Sequence, residues 1–504
     1  MMATATPRVE EDRIEPAVLR PTEEVELAQL TVSNSKGDDP FLVTFSANDA
    51  DNPLNWSTGK KWAVTDVLSA TGFNRIMVST IMAPSLPTIA KQFHMNSAEA
   101  VMALSIYVLA SAIGPLIMGP LSEVYGRSPI LHASNIWFLA WNIACAFSNT
   151  KGTLIASRFM AGLGASSIYA LSGGVLGDVW RPEQRGKSLG MYLLIPVLGA
   201  AVGPIIGGFI AAHTDWRWSF WATSAFQGVM ILASYLTFRE TFAPIILKKR
   251  AEKLRKSTGD TRYYAAFEKL EQGKKLPTIL ARAVSRPMRL LATHPIIQAT
   301  AVISGFSYGL LYIVLATFAE LWIEHYGQRV ELSGLHYLAC ALGEVLGSQL
   351  GGYIMDHMYK RAAEKANGVP KPESRIPIMF ATYTLVPVGL LIYGWTAEYR
   401  LSWVAVDVGI FIVLFAGQIA SLPIQAYVMD VYAEHTSSAI AAMQFLRSLA
   451  AFLFPLFAPA MYSGLGYGWG NSIIALVAFC VGVPAPLIIW KFGERFRSKL
   501  VSSY

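Results

Sequence analysis

Two stretches decide the architecture: Gly119-Pro120-Leu121-Ser122-Glu123-Val124-Tyr125-Gly126-Arg127 and Gly352-Tyr353-Ile354-Met355-Asp356-His357-Met358-Tyr359-Lys360-Arg361. Each sets an acid four residues after a glycine and a cation four residues after the acid. Each also follows an apolar window, the second and the eighth of twelve: 62–83, 99–119, 129–148, 153–176, 188–212 and 218–238, then 292–322, 332–354, 377–397, 400–424, 437–461 and 469–490. A membrane-spanning helix needs roughly 20 mostly apolar residues, so every window is a candidate span. Copies at corresponding places, in the loop between spans two and three of each half, indicate duplication. The expected fold is an all-α membrane protein of twelve transmembrane helices in two pseudo-symmetric six-helix bundles. Its parts are a disordered tail at 1–60, a bundle at 61–239, a basic linker at 240–291, a second bundle at 292–490 and a tail at 491–504.

Composition agrees. Of 504 residues 53% are hydrophobic and only 15% charged, where a soluble domain carries about a quarter. A net charge of +7 would suggest nucleic acid in a soluble protein. Here the cations crowd alternate loops, at Lys60, Lys61, Arg127, Arg181, Arg185, Lys187, the 240–291 segment, Lys360, Arg361 and the tail from Lys491. That bias places both termini in the cytoplasm of a multi-pass plasma-membrane protein and makes nucleic acid an unexpected partner. Cys145, Cys340 and Cys480 lie in apolar windows and read as packing residues, with neither a metal site nor a cofactor implied. Residues 1–60 are polar and acid-rich, with no cleavable leader expected. Gly186-Lys187-Ser188 has Arg181 where a phosphate-binding loop needs its first glycine, which disfavours an ATP-driven pump. No histidine or cysteine spacing supports a membrane enzyme. The expected partners are a small-molecule substrate, protons and the bilayer, handled by a monomer.

In the first repeat, Gly119 and Gly126 allow close approach, while Glu123 and Arg127 can cap or pair; Asp356 takes the acid's place in the second copy. Such contacts, made in one conformation and broken in the other, form a latch. Gly119 to Arg127 resembles the signature loop of the major facilitator superfamily, in the form seen in fungal drug:proton antiporters. Gly199, Gly203, Pro204, Gly207 and Gly208 make a flat, bent fifth span similar to the family's antiporter motif. That resemblance implies a seal between the halves. Arg158-Phe159-Met160-Ala161-Gly162-Leu163-Gly164 resembles the fourth-span motif, whose arginine the family associates with proton coupling; a structural hydrogen-bonding arginine is the alternative. Further matches are Asp51 to Trp56, Glu240 to Pro244, Asn367 to Glu373, Tyr427 to Asp430 and Gly466 to Asn471. The resemblance implies a proton-coupled secondary transporter that exports a small organic molecule by alternating access. Import of a nutrient or polyamine, or a nontransporting receptor, is the alternative.

Ionisable groups at mid-depth are the candidate substrate site. Arg75, beside Asn74, shares a helical face with Thr71 and Ser79, and Glu344 lies between Cys340 and Ser348. Either Arg75 binds a carboxylate while Glu344 carries the proton, or the two pair with each other or with other partners. Tyr308 and Tyr312 continue a stripe from Ser304 on span seven; Gln418 and Gln425 lie on span ten, and Gln444 and Arg447 on span eleven. Spans one, four, seven and ten are expected to line the centre. Asp407, near the outer end of span ten, reads as structural.

Overall fold

The computed structural model describes residues 40–46, 48–266, 268, 276–365, 371–432 and 436–500. The first six spans are Thr58–Thr80, Ser97–Tyr125, Arg127–Ala146, Lys151–Val179, Pro182–His213 and Arg217–Thr237. The second six are Pro295–Glu320, Val330–Lys365, Pro377–Glu398, Trp403–Val431 and two within Thr436–Gly482, parted at Gly466 (φ 74°). Gly466 turns there because only glycine enters the left-handed region without steric cost. We call the end that carries the basic interval the inner end.

The halves repeat one packing scheme. Span one lies on five as seven lies on eleven, two on four as eight on ten, and three on six as nine on twelve. Between the halves, span five packs on eight, and span two on the segment holding eleven. Glycines let the helices close up. A methyl added to Gly343, Gly347 or Gly351 of span eight would meet the span-ten backbone at 2.9, 2.6 and 3.1 Å, at Phe411, Phe415 and Ile419. Their spacing of four is the small-residue stripe that seats one membrane helix on another.

Span one is broken near its outer end. Pro84 has no N–H for the carbonyl one turn back and Pro87 follows, so the helix stops at Thr80 and resumes through Ala83–Ser85 to Leu86–Gln92. The second copy of the repeat also departs from expectation. Residues 352–361 do not form a loop; they continue the helix Val330–Lys365. The first copy does turn, because Gly126 (φ 103°) ends span two.

Part of the segment expected to be disordered is ordered. Residues 40–46 and 48–56 pack on the inner face: Leu42 bridges Tyr264 in parallel, and Val43 is buried with Leu247, Ala251 and Ala265. Arg250, in the helix Ala243–Thr258, pairs with Asp49 at 2.5 Å and Asp51 at 2.8 Å. Residues 1–39 lie outside the described residues.

Candidate functional site

A cavity opens in the second half between spans seven, eight, ten and eleven. Its walls are apolar and aromatic (Phe306, Leu310, Val413, Leu414), with polar groups converging on it: Ser304, Ser307 and Tyr308 from span seven, Gln418 and Gln425 from span ten, Gln444 from span eleven. Glu344 and Arg447 are the two charged residues lining it. Neither joins an ion pair within 4.0 Å among the described residues. Arg447 is the cation whose field reaches Glu344, and its guanidinium lies 3.9 Å from the Tyr308 ring centre. Ser307 and Tyr383 hydroxyls are 3.0 Å apart on the cavity wall, and Ser421 donates to the Gln418 carbonyl at 2.9 Å. Apolar walls with a few oriented polar groups suit an amphipathic organic molecule.

The expected cluster is only partly brought together. Tyr308, Glu344, Gln418 and Gln425 line the cavity; Tyr312 is buried behind it, packed edge-on against Tyr308 at 5.2 Å. The residues that line the cavity come from spans seven to twelve, so the expected lining by spans one and four is not found among the described residues. Arg75 and Asn74 do not line it. Arg75 is fully buried among spans one, three and four. It donates to Asn135 Oδ1, to Ser167 Oγ at 2.7 Å and to the Ala165 carbonyl at 3.2 Å. Asn74 donates to Gln227 Oε1 at 3.1 Å and to the Thr223 carbonyl at 3.2 Å, and Gln227 donates to Asn135 Oδ1. The pairing of Arg75 with Glu344 is therefore corrected. Neutral carbonyl, amide and hydroxyl oxygens serve its two terminal nitrogens without an acid, and Nε has no hydrogen-bond partner among the described residues.

Arg158 is also fully buried without a carboxylate. It donates to Val78 at 2.7 Å, Ser79 at 3.2 Å, Ala103 at 3.3 Å and Leu104 at 3.2 Å, all carbonyls, and lies over the Tyr107 ring at 4.6 Å. Val78 and Ser79 belong to the last turn of broken span one, whose carbonyls lack main-chain donors. The guanidinium caps that turn, where a cation is also favoured by the helix dipole.

At the inner end Arg127 donates to Ser122 at 2.7 Å and stands 3.5 Å from Asp178. The acid over the N-terminus of span three is not Glu123, which is exposed on the last turn of span two, but Glu240. Its carboxylate accepts from the Arg127 N–H at 2.9 Å and the Ser128 N–H at 3.3 Å. A Cβ at Gly126 would come 2.2 Å from that carboxylate, whereas Gly119 has open space. The side chain of Asp356 lies outside the described residues. The counterpart of Arg127 in the second half is Arg375, which donates to Asp430 at 2.9 Å.

Gly199, Gly203 and Gly207 face span one within their own half, where an added methyl would meet Phe73, Met77 and Ile81 carbonyls at 2.6, 2.8 and 1.9 Å. Gly208 alone faces span eight, with Gly334 and the Val330 carbonyl about 3.2–3.3 Å from its would-be Cβ; the Pro204 carbonyl crowds Gly334 from the same side. The motif thus fixes the bend of span one as much as it closes the outer end between the halves.

The sequence reading missed the acceptors Asn135 and Gln227, the cap Glu240 and the partner of Asp407. That partner is His336, whose Nδ1 lies 2.7 Å from Asp407 Oδ2. One signal was legible: His336, Cys340 and Glu344 repeat every four residues on one face of span eight.

Two six-helix bundles, the second enclosing an apolar-walled cavity with a few polar groups, define a multi-pass membrane protein of the transporter class. The chain belongs to the Major Facilitator Superfamily, whose family profile matches residues 68–455. It is 50% identical over 424 residues to the probable efflux pump mfs2 of Aspergillus flavus, covering 84% of this chain and 100% of that one. It is 40% identical to the efflux pump vrtL of Penicillium aethiopicum, covering 91% of each. Among solved structures, the xylose transporter XylE from E. coli superposes with a TM-score of 0.62 at 16% identity, over 86% of this chain and 98% of that one, which speaks to the fold.

Proposed function

We propose that the protein exports a small amphipathic organic molecule from the cell in exchange for protons, by alternating access of its two halves. The cavity around Glu344 and Arg447 is the binding site. The observation that carries this reading is one carboxylate and one guanidinium, each without an ion pair among the described residues, facing one cavity. The efflux-pump relatives support the direction.

Exchange requires proton and substrate to exclude each other. A substrate that donates a hydrogen bond, or presents positive charge, to the Glu344 carboxylate does so only once the proton has left. Arg447 then donates to a carbonyl or other acceptor on the same molecule, and Tyr308 backs the guanidinium. One acid and one base give the cavity no net charge, so a neutral or zwitterionic molecule fits better than the carboxylate that a cavity-facing Arg75 would have implied. Residues 40–46 and 48–56 on the inner linker, and the tail contacts Lys371–Glu494 (2.8 Å) and Arg497–Glu373 (3.0 Å), support a common side for both chain ends. We place that side in the cytoplasm, with the protein a monomer in the plasma membrane.

Comparing culture media with and without the protein identifies the exported compound; its level in the medium should fall and its level in the cells rise on deletion. In vesicles, Glu344→Gln should still exchange that compound down its gradient but lose accumulation driven by a pH difference. Full proton-driven accumulation by Glu344→Gln overturns the role of Glu344.

A further inference from the structure

We infer that His336 and Asp407 form the proton entry to Glu344 from the outer side; this rests on Glu344 being the coupled acid. Span eight carries His336, Cys340 and Glu344 at intervals of four, on one face. His336 to Glu344 is two turns and more, about 12 Å along the axis. Cys340 sits between, within electrostatic reach of both Asp407 and Glu344. The three groups form a file from the outer ends of spans eight and ten to the cavity.

The pair is built for a mobile proton. His336 Nδ1 lies 2.7 Å from Asp407 Oδ2 and Nε2 lies 2.9 Å from Gln328 Oε1. A Gln328 carbonyl turned to Nε2 suits a ring that donates from both nitrogens, the cationic form. Turning the amide over offers N–H to Nε2 and suits the neutral ring, so one local flip serves both protonation states. The second Asp407 oxygen, Oδ1, is buried without a hydrogen-bond partner. From span seven the neighbour is uncharged: the fully buried Trp322 stacks on the imidazole at 3.6 Å between ring centres. Trp322 lies in a π-helical turn, Leu321–His325, a local distortion common at functional sites. Trp403 of span ten also borders the ring, and Arg329 is turned to Glu331 at 3.1 Å. The titratable groups facing the pair are then Cys340 from span eight and, beyond it, Glu344.

The transfer balances. A proton from outside water binds Nε2 of the neutral ring, and the Nδ1 proton passes to Oδ2 of Asp407. Asp407 hands its proton across Cys340 to the Glu344 carboxylate, through water admitted when the outer side opens, and regains its charge. The ring returns to its Nδ1–H form by exchanging a proton with outside water.

The test uses the full chain in lipid vesicles without substrate, the proton being the probe. An imidazolium stacked on indole quenches its fluorescence, so the wild-type signal minus that of Trp322→Phe reports His336. The quench should appear on acidification and vanish in His336→Gln. Asp407→Asn should move it to lower pH by more than about one unit, because a carboxylate in direct contact is lost. Glu344→Gln should move it the same way by a smaller step. Asp407→Glu should restore most of the wild-type profile, which guards against a folding defect, and all variants are compared at matched monodisperse elution. An absent quench, or one indifferent to Asp407→Asn, overturns the relay. A quench that ignores Glu344→Gln overturns the link to the cavity alone, since the role of Glu344 is judged separately by pH-driven transport.

Discussion

Replacing Arg158 distinguishes a staple from a proton carrier. In Arg158→Met four carbonyls lose a donor, but not equally. Ala103 and Leu104 lie within the unbroken helix Ser97–Tyr125 and keep their main-chain partners one turn on. Val78 and Ser79 end the broken span one and are left with nothing. Each buried orphan costs about 1–3 kcal/mol. The sum, about 2–6 kcal/mol, is reduced because a desolvated cation is also removed. We expect a net loss near about 2–4 kcal/mol, read as a lower melting temperature and lower yield of purified protein in detergent. Arg158→Lys should recover part of this, since an ammonium can reach both carbonyls of the broken turn without the guanidinium's fork. Once folded, Arg158→Lys should keep the wild-type pH dependence of transport. An Arg158→Met protein that melts like the wild type while losing its pH dependence would refute the staple.

Two further outcomes follow from packing and charge. Gly207→Ala should destabilise by about 1–3 kcal/mol in the same melting assay, because its methyl would lie 1.9 Å from the Ile81 carbonyl, whereas Gly228→Ala meets nothing within 4 Å and should be neutral or slightly stabilising. At the inner face, hydrogen bonding to Arg250 holds Asp49 down at about 2, so its contribution is full above the unfolded value near about 4 and is lost only as pH falls from there to the folded value. The docked segment 40–51 should resist protease from neutral pH down to about 4, loosen below that, and be cleaved faster at neutral pH in Asp49→Asn.

The fold was legible because lipid imposes a crude rule, long apolar windows, and because duplication left its mark in sequence. The site was legible only where depth alone decides. Sequence can place Arg75 and Glu344 near the middle of the membrane, but the face each presents depends on partners far along the chain. Asn135, 60 residues after Arg75, and Gln227, a further 92 on, supply neutral oxygens that turn this corner of the first half inward. The role of Glu240 was hidden similarly: it caps span three from 113 residues away. The second repeat misled for another reason. Its acid and cation keep their spacing, but Tyr359 stands where the first copy has Gly126, so nothing favours a turn and the helix runs on to Lys365. The cation that meets Asp430 comes from Arg375, after the helix has ended.

The two halves share a frame yet treat buried charge in opposite ways. At the inner end the symmetry holds, with Arg127 beside Asp178 in one half and Arg375 beside Asp430 in the other. Inside the first half, Arg75 and Arg158 are fully buried on backbone, amide and hydroxyl oxygens. Releasing either strands those acceptors, so neither cation can change partner without disturbing the spans it joins. Inside the second half, Glu344 and Arg447 line the cavity, with no ion pair to break among the described residues. A group so placed can exchange a proton or a ligand at little structural cost. On the proposed reading the first half is therefore the rigid wall against which the cycle works. The second half carries the chemistry, fed from its own outer rim by His336 and Asp407. Coupling then needs no charge to cross between the halves. It needs only that the tilt which uncovers the cavity on one side also decides whether Glu344 meets protons from outside or substrate from within.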